Sequence, residues 1–241
     1  MKKTVLGLLS VFFSFGATAQ SIDLPIVKTG DTWTYQQTKE KGTAGWTQAH
    51  VEIAISHADA SSIYYTSKQV GSTQAENEQF TGADWSRVRN VNGKETVVNQ
   101  PLSFPLKPGK TWENQFTEQN PNKTLKYETL DTKYTVVGYE TIEVPAGKFQ
   151  ALKIEAEGHW TSELNPVNTV IQGAQVSQNG TTMVSQINKA GPVVAAGRTY
   201  KAFWYVPEVK RWVKSVEEFY GSNGARSERD TQELESFKLN N

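Results

Sequence analysis

Apolar and polar residues alternate in several short runs along the chain, which is the pattern of β-strands that are buried on one face. In residues 50–56 (HVEIAIS), Val51, Ile53 and Ile55 share one face, and residues 152–158 (LKIEAEG) alternate in the same way. Helical periodicity is almost absent beyond the N-terminal apolar run. We therefore predict an all-β protein that forms a single curved antiparallel sheet or a half-open β-barrel.

Glycine, proline and asparagine mark the turns between these runs. Asn92 and Gly93 separate two strand-like runs, and this pair favours the turn whose twist matches that of paired strands. Residues 145–147 (Pro-Ala-Gly) separate another two strand-like runs. They favour a tight turn, because proline presets one turn dihedral and glycine accepts a positive φ. Asn179 and Gly180 repeat the first pattern. We predict a β-hairpin at each of these three places.

One short pattern occurs twice, as VKTGDTW and as LKPGKTW. Each copy predicts a glycine turn that leads into a strand whose tryptophan enters the core. The two tryptophans lie 79 residues apart, which is too long for a usual solenoid repeat. We interpret the pattern as one local structure used twice, with a duplicated domain as the alternative. The residues that define it are Gly30, Trp33, Gly109 and Trp112.

The N-terminal residues have the pattern of an export signal. Two lysines precede an apolar run that is too short to span a membrane, and the small-x-small cleavage pattern ends at Ala19. We predict that residues 1–19 are a cleaved signal peptide and that the protein is periplasmic or secreted. Residues 20–241 then form a single β domain, which the repeated pattern divides into two possible halves, 20–103 and 104–241.

Composition narrows the range of partners. The chain has 25 basic and 25 acidic residues, and this balance argues against a nucleic-acid partner, which would require a basic face. There is no cysteine, so we expect the core rather than disulfides to stabilise the fold. The strands lack the repeated lipid-facing apolar bands of a membrane-embedded protein, so we expect no integral membrane protein.

The segment at about residues 164–197 differs from the rest. It is rich in glutamine, asparagine, serine, threonine and glycine, and its only charged residue is a single lysine. We predict a polar insert between core strands, either a long hairpin or a flexible flap.

The sequence contains no recognisable catalytic motif. It lacks a Gly-x-Ser-x-Gly elbow, a His-Glu-x-x-His pair, a phosphate-binding glycine loop and any cysteine nucleophile. His50 and His57 have opposite parity, so on one strand they could not share a metal ion, and His159 lies far along the chain. We predict a protein that is not an enzyme, with no catalytic residues, no metal site and no cofactor.

Aromatic residues are the stronger indication of a binding role. Phe203 and Tyr205 would share one strand face and Trp204 the other, so both faces are apolar there. Such residues either fill a core or line a cavity, and both interpretations are open. We select Phe149, Trp204, Tyr205 and Trp212 as candidate ligand-binding residues. Phe149 breaks the parity of the apolar residues after it, which predicts a β-bulge.

Charged residues lie between these aromatic residues, in the stretch FWYVPEVKRWVK. Pro207 cannot donate to a strand ladder, so we predict a turn from Pro207 to Arg211. Glu208, Lys210 and Arg211 would be exposed at this tip, with Glu208 weakly paired to one of the two bases.

Four stretches resemble a family of exported bacterial β proteins of unknown function. They are VPAGKFQALKI (144–154), FWYVPEVKRWVK (203–214), ELESFKL (233–239) and the upstream PLKPGKTW (105–112). The resemblance covers roughly the second half of the mature chain and consists of turn and core motifs. It implies a fold similar to the half-open barrels of periplasmic lipoprotein carriers, which bind acyl chains on a concave apolar face, and it implies no catalytic residues.

We therefore predict a non-enzymatic periplasmic binding or envelope-assembly protein that holds an apolar or amphiphilic ligand, such as a lipid, in a concave aromatic-lined face. One alternative is a carbohydrate-binding module, which would present flat, exposed tryptophan platforms. Another is a hydrolase without a recognisable motif, which would need a buried carboxylate pair or a histidine beside a serine or aspartate.

Overall fold

The computed structural model describes residues 21–165 and 193–240, and this part of the chain is all-β. It contains twelve strands and two short 3₁₀ turns at Gly42–Ala44 and Pro207–Val209. The strands are β1 (Thr32–Lys41), β2 (Trp46–Ala58), β3 (Ser62–Gln69), β4 (Glu78–Gly82), β5 (Arg87–Val91), β6 (Lys94–Asn99), β7 (Thr111–Gln119), β8 (Leu125–Val144), β9 (Gly147–Leu164), β10 (Val194–Val206), β11 (Arg211–Tyr220) and β12 (Arg226–Lys238).

Ten of these strands form one curved antiparallel sheet, which confirms the predicted fold class. Their order is β4-β3-β2-β1-β12-β11-β10-β9-β8-β7, and β5 and β6 form a separate two-stranded sheet. Within the described ranges β4 and β7 are the edge strands, so the sheet is not closed into a barrel. At its centre β1 pairs with β12, with Thr32 opposite Lys238.

The alternation in the sequence corresponds to the two faces of the sheet. Ile53 and Ile55 of β2 are buried, as are Ile154 and Ala156 of β9, whereas Glu157 is exposed. We call the face that holds these apolar side chains the inner face and the opposite one the outer face. The core lies on the inner face, because burying one side of a half-buried strand is what the alternation achieves.

Two of the three predicted hairpins are confirmed. Asn92 (φ 53°) and Gly93 (φ 85°) connect β5 to β6, and the Asn90 side chain accepts a hydrogen bond of 2.8 Å from the Gly93 amide. Val144 pairs with Gly147, so two residues form the turn between β8 and β9. The third prediction, at Asn179 and Gly180, lies outside the described residues, as does the predicted signal peptide.

The repeated sequence pattern forms the same turn twice. Gly30 (φ 85°) donates its amide to Ile55 over 2.9 Å, and Gly109 (φ 82°) donates to Val136 over 2.8 Å. A positive φ at both positions favours glycine. Trp33 and Trp112 each follow as the second residue of a strand, and Trp33 is fully buried. Trp112 is only partly buried, because its strand is at the edge of the sheet.

The polar insert joins two neighbouring strands. β9 continues to Leu164, β10 begins at Val194, and Val194 pairs with Glu163. The strands therefore extend into both ends of the predicted 164–197 segment, and the insert is shorter than predicted. Residues 166–192 lie outside the described part.

The predicted bulge at Phe149 is wrong. Phe149 pairs with Ile142 in regular register, and the nearer of the two register shifts in this strand pair lies between Val136 and Gly138 of β8. Gly138 has φ 151°, a conformation that glycine adopts readily, so the backbone irregularity forms there.

Residues 83–106 pack against the inner face, and we call them the cover segment. Trp85, Leu102 and Leu106 from this segment are buried in the same core cluster as the sheet residues. The segment contains the separate β5–β6 hairpin. The described residues include no helix that is both long and apolar enough to cross a membrane.

Candidate functional site

The charged stretch after β10 forms a tight reversal. Pro207–Val209 is a single 3₁₀ turn, and Lys210 adopts the left-handed conformation (φ 60°) before β11 begins at Arg211. Glu208 is exposed, as predicted. Among the described residues it forms no salt bridge.

Replacing Glu208 by alanine is therefore expected to change the free energy of unfolding by no more than about 0.5 kcal/mol, the usual range for a surface substitution. Chemical denaturation of the two proteins would measure this difference. A loss of several kcal/mol would show that Glu208 has a partner outside the described residues.

Lys210 pairs with a residue far away in the sequence, so the predicted pairing with Glu208 is wrong. Its Nζ lies 3.1 Å from Oδ2 of Asp31, a fully buried residue. Asp31 also accepts hydrogen bonds from the amides of Lys28 (3.0 Å) and Asn240 (2.7 Å). The carboxylate thus connects the reversal to both ends of the described chain.

Arg211 is buried, at 5% exposure, so the prediction of an exposed side chain is wrong. Its guanidinium carbon lies 4.0 Å from the ring centre of Trp85 and 4.2 Å from that of Trp212. The rings of Tyr35 and Trp33 lie at 5.5 and 5.9 Å. We call this group of five residues the arginine cage. The prediction of an exposed side chain failed because the aromatic residues that bury Arg211 come from distant parts of the chain.

The guanidinium has no acidic partner among the described residues. Its Nε and Nη1 are buried without a hydrogen-bond acceptor, and so are the indole nitrogens of Trp85 and Trp212. Burial lowers the pKa of Arg211, and the neighbouring ionisable groups that act against this are Tyr35 and Tyr65. Neither is a carboxylate. The guanidinium therefore has two unused donor atoms of its own, two unused indole donors beside it and no negative charge nearby in the described part of the chain.

Such an arrangement costs free energy. Burying an ion costs several kcal/mol even after the protein relaxes. A desolvated cation–π contact returns about 2 kcal/mol. The unmade hydrogen bonds add to the cost, at roughly 1–3 kcal/mol for each unsatisfied buried group. Buried polar groups without partners require an explanation, and a functional role is one of them. Because four such atoms lie together in the cage, we take it as the candidate functional site.

Trp85 is the cage residue with a strained backbone. It belongs to the cover segment, in a turn where its amide donates to Gly82 over 2.8 Å, and its backbone has φ 62°. This conformation is unfavourable for a bulky residue and costs on the order of 1–3 kcal/mol. By contrast, the Trp33 indole donates to Val209 over 2.8 Å and the Tyr35 hydroxyl donates to Trp212 over 2.7 Å. Trp33 and Tyr35 are thus anchored by hydrogen bonds, whereas the backbone of Trp85 is strained.

Two of the residues predicted to bind a ligand lie in the inner-face core. Tyr205 is fully buried, its ring centre is 5.6 Å from that of Phe104, and its hydroxyl has no partner among the described residues. Trp212 is part of the arginine cage and also contacts Phe203 at 5.4 Å. Phe149 is partly buried against the same core.

Trp204 is also partly buried against this core, but its ring faces the charged side chains of the outer face. Its ring is 5.4 Å from the Lys153 ammonium and 5.9 Å from that of Lys214, and its indole donates to Glu140. The structure therefore brings Tyr205 and Trp212 together and separates Trp204 from them, as expected from strand alternation.

The sequence analysis did not select Arg211, Trp85 or Tyr35. One local signal was available for the arginine. It directly follows a Pro-Glu-Val turn and begins the apolar strand Trp212-Val213, so it could have been assigned to a strand rather than to the tip. For the other two residues the sequence gives no local signal.

The outer face also has a polar groove of about 490 Å³. Four of its lining residues are acidic, and Glu155 among them already pairs with Lys153 at 2.8 Å and accepts from Tyr200 at 2.9 Å. No cluster of three or more metal-ligating residues exists within the described ranges. The groove therefore shows no unmatched chemistry comparable to that of the cage.

Buried tyrosines should make the protein sensitive to alkali. Burial raises the pKa of Tyr35 to about 12, and it also raises the pKa of Tyr134 and Tyr205. In the unfolded chain these groups ionise near the ordinary value of about 10. The unfolded state therefore releases protons first, so stability is complete below about pH 10 and falls as the pH rises, by about 1.4 kcal/mol per unit for each tyrosine.

Absorbance at 295 nm and circular dichroism, recorded during one alkaline titration, would test this. We expect the absorbance of these tyrosines to rise only together with the loss of strand signal. Ionisation of every tyrosine near pH 10 in a protein that is still folded would contradict the burial.

Comparison with known proteins gives a remote likeness only. No family model matches the chain, and no curated protein matches it. Similar solved structures include a protein from Bacteroides fragilis described as exported with a YmcC-like fold (13% identity, 91% of this chain, 100% of that chain, TM-score 0.42). A protein from Parabacteroides distasonis described as a lipoprotein shows 12% identity, 91% and 100% coverage and a TM-score of 0.47. The hypothetical lipoprotein YmcC from Escherichia coli shows 12% identity, 89% coverage of each chain and a TM-score of 0.36. These values support no inference about function.

Proposed function

We propose that this is a non-enzymatic binding protein of the bacterial periplasm or envelope that holds an amphiphilic ligand on the inner face of its sheet. The observation that supports this is the aromatic inner face of an unclosed sheet, covered by a segment whose strands are not part of that sheet. An acyl chain is the ligand whose shape and polarity match such a surface.

The cover segment occupies the place that we assign to the ligand. Leu102 and Leu106 are fully buried there, and Phe104 packs against Tyr205. Burying one such side chain contributes about 1.5–3 kcal/mol. An acyl chain would replace these contacts with similar ones, so exchange of the segment for a ligand would cost little net apolar burial.

Polar contacts hold the cover segment near its C-terminal end. Leu106 exchanges two backbone hydrogen bonds of 2.8 Å with Ile22, and the Asn99 side chain accepts from Tyr134 (2.9 Å) and Lys201 (3.0 Å). Movement of the segment would have to break these contacts or pivot on them. Tyr205 and Trp212 would then line the ligand site, with Phe149 at its margin.

The carbohydrate alternative requires flat, exposed tryptophans, and the two tryptophans of the repeated pattern do not have this form. Trp33 is fully buried, and Trp112 stacks on Tyr134 at 5.2 Å with an interplanar angle of 4°. Trp46 is 66% exposed but has no aromatic neighbour among the described contacts. We therefore do not propose this function.

Native mass spectrometry of the protein purified from the periplasm of a bacterial host would test the proposal. We expect an added mass that corresponds to an amphiphile and that organic extraction removes. Protein stripped in this way should regain thermal stability when 1-oleoylglycerol or oleate is added. If the protein carries no added mass and neither compound raises its thermal stability, the proposed function is refuted.

Two tryptophan variants sharpen this test. Trp212→Phe keeps an aromatic ring on the inner face but changes its shape, so we expect a smaller stability gain with 1-oleoylglycerol. Trp204→Ala removes an outer-face ring, and the gain should then stay close to that of the unmodified protein. Equal loss in both variants would show that the ligand does not bind on the inner face.

A further inference from the structure

We propose that Arg211 binds the anionic head group, a carboxylate or a phosphate, of the amphiphile, and that Trp85 covers this position when no ligand is bound. This inference rests on the proposed function and specifies the chemistry of its ligand. The head group would bind at an ion-pairing site inside the arginine cage, next to the apolar surface that holds the acyl chain.

Several buried donors in the cage have no acceptor. Nε and Nη1 of Arg211 and the indole nitrogen of Trp212 have none among the described residues, and neither has the Trp85 indole nitrogen, which would leave with its ring when Trp85 moves. A carboxylate or a phosphate carries negative charge and accepts several hydrogen bonds at once. One anionic group would therefore satisfy both the charge and the three donors that stay in place. A neutral hydroxyl head group would satisfy neither the charge nor most of the donors.

Aromatic rings hold the guanidinium in place. It lies over the rings of Trp85 and Trp212, whose centres are 6.0 Å apart. A guanidinium that stacks on aromatic rings keeps its N–H edge for an in-plane acceptor, and this edge matches carboxylate and phosphate oxygens in pairs. Trp212, Tyr35 and Trp33 still contact the arginine when Trp85 moves, so little side-chain entropy remains to be lost on binding.

Trp85 is the cage residue that would move to give a ligand access to Arg211. Of the three tryptophans in the cage, Trp33 is anchored through its indole to the Val209 carbonyl, whereas the Trp85 indole has no such bond. Trp85 also has the positive φ described above, and strain of this kind is relieved when the turn moves. The turn before β5 is thus the part of the cage that would open. The head group would then bind where the indole had been.

A structural role for Arg211 is the competing explanation. In that case the arginine stabilises the core through its aromatic contacts, and replacing it with methionine should lower the stability of the ligand-free protein. If the arginine serves a ligand instead, the same substitution removes an uncompensated buried charge and should leave stability unchanged or raise it. The two explanations therefore predict opposite signs.

The first experiment compares ligands on the unmodified, stripped protein. Oleate and lysophosphatidylglycerol represent the two anionic head groups, and 1-oleoylglycerol is the neutral control with the same chain as oleate. We expect both anionic amphiphiles to bind about tenfold or more tightly than the neutral one, as one buried charge-assisted interaction provides. Acetate and inorganic phosphate alone should give no measurable stabilisation. Stabilisation by these small anions alone would overturn the assignment to a lipid head group.

The second experiment uses Arg211→Met, with Arg198→Met as the matched control. Arg198 is exposed and its guanidinium also stacks on an aromatic ring, 4.1 Å from the centre of Tyr220. In Arg211→Met we expect the preference for oleate over 1-oleoylglycerol to disappear, while affinity for the neutral compound is retained. Arg198→Met should keep the preference. A preference that survives in Arg211→Met would overturn the proposal.

The outcomes separate the two proposals. If 1-oleoylglycerol binds as tightly as oleate to the unmodified protein, the protein binds amphiphiles but the head-group inference is wrong. If none of the amphiphiles binds, the proposed function is wrong and this inference with it. If Arg211→Met fails to fold, Arg211 has a structural role. The comparison of ligands on the unmodified protein then still decides whether a head-group preference exists.

Discussion

Replacing Trp33 by alanine is expected to lower the free energy of unfolding by about 3–5 kcal/mol, the usual cost of removing a fully buried aromatic side chain. Trp33 is 0% exposed, its ring packs edge-on against Trp85 at 5.6 Å, and its indole donates to the Val209 carbonyl. The substitution leaves a cavity and also removes the donor for that carbonyl. For a chain of this size, such a loss corresponds to a fall in melting temperature of roughly 10 °C.

Trp112→Ala is the matched control, because Trp112 occupies the same position in the second copy of the turn. It is only partly buried, although it stacks on Tyr134, so its loss should cost clearly less than the loss of Trp33. Urea denaturation of both variants would give the two values. Equal costs, or an unchanged melting temperature for Trp33→Ala, would contradict the packing described for the core.

Replacing Asp31 by alanine should have an effect of similar size for an electrostatic reason. Asp31 is fully buried, pairs with Lys210 and accepts amide hydrogen bonds from Lys28 and Asn240. Removing one partner of a buried ion pair typically costs about 3–5 kcal/mol, because the other charge is left without compensation. We expect a loss in this range, measured by chemical denaturation.

Asp31→Asn provides a graded comparison, since the amide keeps one acceptor but loses the charge. Its cost should fall between zero and that of Asp31→Ala. Glu208→Ala removes an acidic group from the same region without a buried partner and is the control for net charge. If Asp31→Ala is as mild as Glu208→Ala, the Lys210 ion pair does not contribute to stability.

Local patterns predicted the strands and their turns well. Alternation assigned Ile53 and Ile154 to the core, and the Asn92-Gly93 pair identified a hairpin, because both signals depend on neighbours within a few residues. The bulge was misplaced at Phe149 for the same reason. A register shift depends on the partner strand, and Gly138 of that strand accommodates the irregularity.

The candidate site was less predictable, because its residues are distant in sequence. A charged run between a proline and a tryptophan has the pattern of an exposed tip, and Glu208 is indeed exposed. Whether Arg211 is exposed depends on Trp33 and Trp85, which reach it only through the order of the strands and the path of the cover segment. The alternation of β10 also could not predict which face Arg211 occupies on β11, because the register between the two strands shifts beside Trp204.

The pairing of β1 with β12 has a consequence for the order of folding. These strands lie side by side at the centre of the sheet, although they come from opposite ends of the chain. Contacts between distant residues form slowly, and strands that await a partner present bare edges on which other chains can aggregate. The central ladder cannot form during synthesis before Arg226–Lys238 has left the ribosome. A chain that stops before β12 would possess two separate sheets, of four and five strands, in place of one.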